Sequence, residues 1–390
     1  MSGESNRFLI VAGEASGDMH GSGLVRALKK LRSGCEFSGL GGNCMREEGV
    51  NTFFDIDRMG AIGVIELLGD LPHYLNVYRK LANEIKSGRY DAVILIDYPT
   101  LNLRLAGLCH KHSCPVFFFI SPQVWAWRKG RIKKIRRTVD KMFVIFPFEE
   151  VMLNKEGVDA EFIGHPFVEM VKTSMTREEA IKRFSLDPNR KIIGLLPGSR
   201  NNEIRFLLDL MIDSATEIRK QIKGCQFVLP VANTLDPKIF RERLKANPLD
   251  IRIVEEKSYD LMNCCDFLII ASGSATLEAG LLGCPMVIVY KLNWITYWLA
   301  RLLVKIKLYG LVNIVAEEEV VTELIQNKAT VENVTKEAIK ILSDPKKHEN
   351  LRSRLLQVRD SLGEPGVLDR VAVRILEFLR ERKQNEKISI

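Results

Sequence analysis

The chain has 390 residues, 46% of them hydrophobic and 27% charged, with 27 Gly and 14 Pro spread along it; this balance excludes disordered, collagen-like and low-complexity chains. Its length exceeds what one hydrophobic core organises, so two domains are expected. The net charge of +8 is local: between Arg128 and Lys141 eight Lys or Arg face a single acid, Asp140.

The polar segment Met1 to Arg7 leads directly into an apolar run, Phe8 to Ala12, so no signal peptide and a cytoplasmic location are expected. Further strand-length runs follow at Ala92 to Asp97, Val116 to Ile120, Lys141 to Phe146, Lys191 to Leu196, Phe227 to Val231, Ile251 to Val254, Phe267 to Ala271 and Met286 to Tyr290. They alternate with amphipathic helix-length segments, the pattern of a doubly wound α/β domain in two copies. Gly164-His165-Pro166 and a charged helix from Arg177 to Phe184 mark the connection, dividing the chain into domains 1–165 and 166–345. A charged helical tail, 346–390, repeats Val367, Val371, Ile375, Phe378 and Leu379 at spacings of three to four; its apolar face must pack on the first domain or on a second copy of the chain. The most apolar stretch, Phe267 to Tyr290, contains Glu278, Pro285 and three Gly, which suits strand, loop, helix and strand better than a membrane span. Among eight cysteines there is no C-x-x-C pair. Cys109-His110-x-His112-x-Cys114 spans a helix end and a strand start, and four converging ligands are not expected, so no zinc site is; no cofactor is expected either.

After the first strand, Gly13-Glu14-Ala15-Ser16-Gly17-Asp18-Met19-His20-Gly21-Ser22-Gly23 opens a helix at the sheet edge where open α/β folds bind ligands. Arg26 occupies the last glycine position of G-x-G-x-x-G, which argues against a dinucleotide. The polar groups of Glu14, Ser16 and Asp18 around Gly17 point to a substrate loop, with an ordinary glycine turn as the alternative. Asp97 ends the strand beginning at Ala92 and precedes Tyr98-Pro99-Thr100-Leu101-Asn102. A general base would stand there; so would an acid capping the next helix. Asp55-Ile56-Asp57 has the spacing of a metal-binding D-x-D but does not end a buried strand. Trp125, Trp127 and the basic run from Arg128 suit nucleic acid, a phosphorylated ligand or an anionic membrane, or else a solvated helix face.

In the second half, Pro197-Gly198-Ser199-Arg200 follows a strand and leads to Glu203. Its glycine and serine allow close approach of an anion, and Arg200 offers a planar fork to phosphate. Ser272-Gly273-Ser274-Ala275-Thr276 follows another strand and starts a helix carrying Glu278; N–H groups at that helix end suit a diphosphate and Glu278 suits ribose hydroxyls. Two such loops at adjacent strand ends read as a nucleotide site. From Asn293 to Leu308 there is no acid. At ~100° per residue Trp294, Tyr297, Trp298, Arg301 and Lys305 share one face, the composition of a membrane-interface anchor or of aromatic packing beneath a neighbouring domain.

Five segments, Ala12-Gly13-Glu14-Ala15-Ser16-Gly17-Asp18, Ser121-Pro122-Gln123-Val124-Trp125-Ala126-Trp127-Arg128, Phe162-Ile163-Gly164-His165-Pro166, Leu196-Pro197-Gly198-Ser199-Arg200 and Ala271-Ser272-Gly273-Ser274-Ala275-Thr276-Leu277-Glu278, together resemble the lipid-A-disaccharide synthase family. The resemblance runs in order from about residue 8 to Leu324. It implies two doubly wound Rossmann-like domains facing across a cleft, the GT-B architecture. It also implies metal-independent, inverting transfer from UDP-2,3-diacylglucosamine to 2,3-diacylglucosamine 1-phosphate (lipid X), giving a β(1→6) disaccharide phosphate and UDP. The family works in Gram-negative outer-membrane biogenesis, peripherally on the cytoplasmic face of the inner membrane, and nucleic acid is not among its partners. The family's Asp-x-Pro aspartate lands on Asp97, its glycine-serine-arginine loop on Gly198, Ser199 and Arg200, and an asparagine on Asn313. Thr100 and Leu101 depart from the usual Asp-x-Pro-Asp-Phe-Asn, leaving Asp97 as the base candidate and Arg200 with the Gly273 helix end as the diphosphate clamp. Met59, Ile62 and Val64 would wall the acyl chains, and Trp125, Trp127 and Arg128 would meet the lipid X phosphate or headgroups. Related nucleotide-sugar enzymes of the same architecture would share the nucleotide loops but not the tryptophan motif.

Overall fold

The computed structural model describes residues 5–56, 71–125, 130–232, 235–245, 249–293 and 307–388. Asp57, Met59, Ile62, Val64, Trp127, Arg128, Trp294, Tyr297, Trp298, Arg301 and Lys305 lie outside the described residues.

Two compact units divide the chain, one formed by Met1–Pro166 with Glu364–Ile390 and the other by Phe167–Gly363. The first holds a parallel sheet of β1 (Arg7–Ala12), β2 (Glu36–Leu40), β3 (Asn51–Phe54), β4 (Ala92–Ile96), β5 (Val116–Phe119), β6 (Lys141–Val144) and β7 (Ala160–Phe162). Its order is β3-β2-β1-β4-β5-β6-β7. Every residue of β4 and β5 is buried, as expected of strands covered by helices on both faces, which read as unbroken apolar runs. Alternation along the strands sends Leu9, Val11, Val93, Leu95 and Phe118 into one core and Phe8, Ile10, Ile94, Phe117 and Phe119 into the other.

The second unit repeats the plan with β8 (Ile192–Leu196), β9 (Gln226–Pro230), β10 (Ile251–Val254), β11 (Phe267–Ala271), β12 (Met286–Tyr290) and β13 (Glu323–Ile325), in the order β10-β9-β8-β11-β12-β13. In each sheet the winding reverses once, between β1 and β4 and between β8 and β11. Loops on either side of such a reversal diverge and leave a crevice at the carboxyl edge. The four loops singled out in the sequence follow these four strands.

The tail is not one piece beginning at 346. Helix Pro345–Ser361 buries Leu351, Leu355 and Val358 within the second unit, and the chain then turns through Gly363 and Gly366, both at positive φ. Only helix Val367–Ile388 belongs to the first unit, where Val367, Val371, Ile375 and Leu379 complete the core on one face of the sheet. Glu364-Pro365-Gly366 cannot continue a helix, and each flanking helix follows the sheet that its apolar stripe fits. Among the described residues no helix is long and apolar enough to cross a membrane.

Candidate functional site

In the second unit, the loops after β8 and β11 line one cavity of about 720 Å³ that includes Gly198, Ser199, Arg200, Gly273, Ser274, Ala275 and Glu278, with Tyr290 and Lys257 beside them. Gly198 has φ 110°, and a side chain there would collide with the Glu203 carboxylate. That carboxylate lies against the loop: Oε2 accepts from the N–H of Ser199 at 2.9 Å and of Arg200 at 3.3 Å. Glu203 therefore stands where an incoming anion would meet the start of helix Asn201–Gln221. The Arg200 side chain is 81% exposed and 3.7 Å from Glu203, so its guanidinium reaches the cavity from the rim. Gly273 faces open space, leaving the start of helix Ser274–Leu281 accessible. Burial raises the Glu278 carboxyl above its ordinary range, against a hydrogen bond from Ser274. Burial, with the nearby charge of Glu278, pushes the Tyr259 hydroxyl up to about 12.

Two residues expected to hold the nucleotide point elsewhere. Thr276 is fully buried and its hydroxyl donates to the Gly273 carbonyl at 2.8 Å, as threonine does in a helical first turn. Asn313 is also fully buried. Its Nδ2 donates to Val321 O and Glu323 Oε1, each at 2.8 Å, and its Oδ1 accepts from the N–H of Val320 and Val321. All four hydrogen-bonding positions of that amide are taken by its own unit. Glu323 further accepts from the N–H of Tyr309 and Gly310, and the Tyr309 carbonyl accepts from Ser272 Oγ at 2.9 Å. Asn313 thus organises the chain behind the β11 loop.

In the first unit, Glu14 and Ser16 are exposed at the start of helix Ala15–Leu31. Gly17 is buried against Ala12. Asp18 is no part of an open loop: only 3% exposed, it accepts from the N–H of Gly42, Cys44 and Met45 at 2.6, 2.9 and 3.2 Å. A carboxylate satisfies the N-terminal donors of helix Asn43–Glu47 there, an ordinary helix-end arrangement. Asp55 pairs with Arg46 at 2.6 Å. Asp97 is half-buried at the end of β4, and both Asp97 and Tyr98 are left-handed, with φ 44° and 43°. Burial first, and the charge of Glu14 second, raise the Asp97 carboxyl to about 6.

The neighbouring strand end is also strained, since the β-branched Ile120 has φ 65°. It leads to Ser121, whose Oγ donates to Glu149 Oε1 at 2.5 Å. Trp125 Nε1 donates to the same oxygen at 3.2 Å, and the half-buried indole stands edge-on to Phe148 with centroids 5.5 Å apart. The Trp125 N–H is thereby committed inside the unit and not to a lipid surface. Glu149, 1% exposed, is the anchor of this loop, and burial pushes its carboxyl up to about 7. Two buried histidines lie nearby in the fold: burial holds His20 at about 4, and burial with the proximity of His20 holds His165 at about 3.

The lipid-A-disaccharide synthetase family model matches residues 8–368. The lipid-A-disaccharide synthase of Geobacter sulfurreducens is 43% identical over 375 residues, 96% of this chain and 98% of that protein. The chain belongs to the lipid-A-disaccharide synthase family. The synthase of Syntrophus aciditrophicus is 41% identical across 97% of this chain and 99% of its own length. Among solved structures, the UDP-GlcNAc 2-epimerase of Neisseria meningitidis bound to UDP-GlcNAc superposes with a TM-score of 0.63 at 12% identity, covering 96% of this chain and all (100%) of that one. A glycosyltransferase from Rickettsia africae gives 0.57 at 12% identity, covering 97% and 99%. At such identities the structural likeness establishes the fold alone, two Rossmann-like units of the GT-B class, whereas membership of the lipid-A-disaccharide synthase family rests on the full-length sequence matches.

Proposed function

We propose that Asp97 activates the acceptor and that the β8 and β11 loops stabilise the leaving group. As a lipid-A-disaccharide synthase, the chain joins UDP-2,3-diacylglucosamine to lipid X and releases UDP. Displacing UDP with inversion requires a base for the acceptor 6-hydroxyl. A carboxylate that ionises near pH 6 is charged at neutral pH and still basic enough to take a proton as the hydroxyl attacks. The departing diphosphate gathers negative charge, which Arg200 and the N–H groups at the start of helix Ser274–Leu281 would meet. Glu278 would accept from ribose hydroxyls. The observation that carries this reading is the convergence of both expected nucleotide loops on one cavity at the point where the second sheet reverses.

The substrates reside in a bilayer, so the enzyme must visit one. The aromatic and cationic residues Trp294, Tyr297, Trp298, Arg301 and Lys305, with the basic run from Arg128, suit peripheral association with the cytoplasmic face of the inner membrane. Met59, Ile62 and Val64 are the proposed acyl-chain wall.

A thin-layer assay with both diacylated sugars tests the assignment. Wild-type protein forms disaccharide phosphate and UDP, and Asp97→Asn retains UDP binding while turnover falls at least about 100-fold. Wild-type turnover by Asp97→Asn at saturating substrates would remove Asp97 from the role of base.

A further inference from the structure

The junction between β4 and helix Pro99–Lys111 is made by two consecutive left-handed residues, Asp97 and Tyr98, neither of them glycine. Such backbone persists only where the surroundings over-determine it. One side of the junction is fixed by Tyr98, whose ring lies so close over Gly13 that any side chain at that position would collide with it. The other side is fixed by Asn102. Its Nδ2 donates to the Ile96 carbonyl at 3.1 Å and to the Asp97 carbonyl at 2.7 Å. One amide therefore grips the last carbonyl of the strand and the first carbonyl of the left-handed pair.

Asn102 is fully buried, and its Oδ1 has no hydrogen-bond partner among the described residues. Asparagine is a modest helix former, and a buried acceptor without a protein partner destabilises a core. It lies between the buried Leu101 and Leu103, where leucine would fill similar space without an orphaned oxygen but would also strip the donor from the Ile96 and Asp97 carbonyls. Both bonds donated by this amide end on the Asp97 turn, so what the amide supplies is the shape of that turn.

We infer that Asn102 is a positioning residue for Asp97: by holding the Ile96 and Asp97 carbonyls together, it keeps the left-handed turn that presents the Asp97 carboxylate at the sheet edge. The inference rests on the reading of Asp97 as the base.

The test is Asn102→Leu, measured beside Asp97→Asn and the double variant. Asn102→Leu should lower the melting temperature, because the Ile96 and Asp97 carbonyls lose their donor, while kcat of the folded protein falls at least about 10-fold, the scale of a misplaced reacting group, with KM for both sugars and UDP affinity unchanged. In the Asp97→Asn background the leucine should lower the residual rate no further, since both changes act through one carboxylate. Wild-type kcat in Asn102→Leu beside a crippled Asp97→Asn overturns this inference alone. A multiplicative loss in the double variant also overturns it, by showing that Asn102 acts elsewhere. Full turnover by Asp97→Asn overturns the base reading and this inference with it. If Asn102→Leu does not fold, Asn102→Ala at reduced temperature replaces it in the same cycle under the same criteria.

Discussion

Glu14 raises the pKa of Asp97: the two carboxylates leave neighbouring strands at one sheet edge, and the charge of Glu14 adds to burial in holding the Asp97 carboxyl at about 6. Both effects disfavour the ionised form, so protonation of Asp97 persists well above the ordinary aspartate range. As pH falls through about 6, kcat/KM should therefore fall with the loss of the base. Glu14→Gln removes the second cause and should shift this acid limb to lower pH. Profiles between about pH 4.5 and 8.5 read the limb directly. An unmoved limb in Glu14→Gln would mean that Glu14 does not act on the group whose titration controls the rate.

Arg200→Ala and Glu278→Ala should each weaken UDP binding by on the order of 1.5 to 3 kcal/mol, the scale of a charge-assisted hydrogen bond. Both side chains line the same cavity, but they arrive from different loops, so each loss should appear in the other's presence. Calorimetric titration with UDP measures it. Unchanged affinity in both variants would place the nucleotide outside this cavity.

Asn313→Ala should act on folding. It leaves the N–H groups of Val320 and Val321, the Val321 carbonyl and a Glu323 oxygen without their present partner, at a combined cost of roughly 2 to 5 kcal/mol. A lowered urea midpoint is the expected result. Loss of UDP affinity with an unchanged midpoint would return Asn313 to direct contact with the nucleotide.

The contrast between Asn313 and Gly198 shows what was legible in the sequence. Central strands such as β4 and β11 are buried on both faces and read as unbroken apolar runs. Of the four edge strands, all three or four residues long and partly exposed, β10 is legible from its β-branched Ile251, Ile253 and Val254. The other three, β3, β7 and β13, do not stand out because polar or charged residues, Asn51 and Thr52, Glu161, and Glu323, interrupt them. β2 was obscured by the exposed Glu36 and by Gly39. A glycine such as Gly198 declares a backbone need, and the loops carrying such glycines were found. The direction of a polar side chain is not declared: Asp18, Thr276 and Asn313 carry the chemistry of ligand contacts and use it on their own backbone. Glu149 gave no signal because its partner Ser121 lies 28 positions earlier and only the fold brings them together. Asn102 grips carbonyls five and six positions away, but its need for an amide appears only once the left-handed turn is seen.

Glu149 provides a prediction with a defined pH window. Its carboxylate is buried and accepts from Ser121 Oγ, Trp125 Nε1 and the Phe146 N–H. Burial nevertheless outweighs these bonds and raises it from 4.5 to about 7. A carboxyl whose folded value exceeds its unfolded one binds a proton more tightly when folded. Its contribution is fully present below the unfolded value and is lost as pH rises through the folded one. Wild-type stability should thus decline between about pH 4.5 and 7 relative to Glu149→Gln, by on the order of 3 kcal/mol across the window. The glutamine keeps an acceptor for Ser121 and Trp125 but turns an NH₂ group toward the Phe146 N–H, a fixed penalty at every pH. The diagnostic quantity is therefore the change in the difference between the two proteins, obtained by urea unfolding of both at about pH 5 and about pH 8. The glutamine variant should gain on the wild type at the higher pH. A difference that stays flat would show that Glu149 ionises as an ordinary carboxylate, and the burial argument for its raised value would fail.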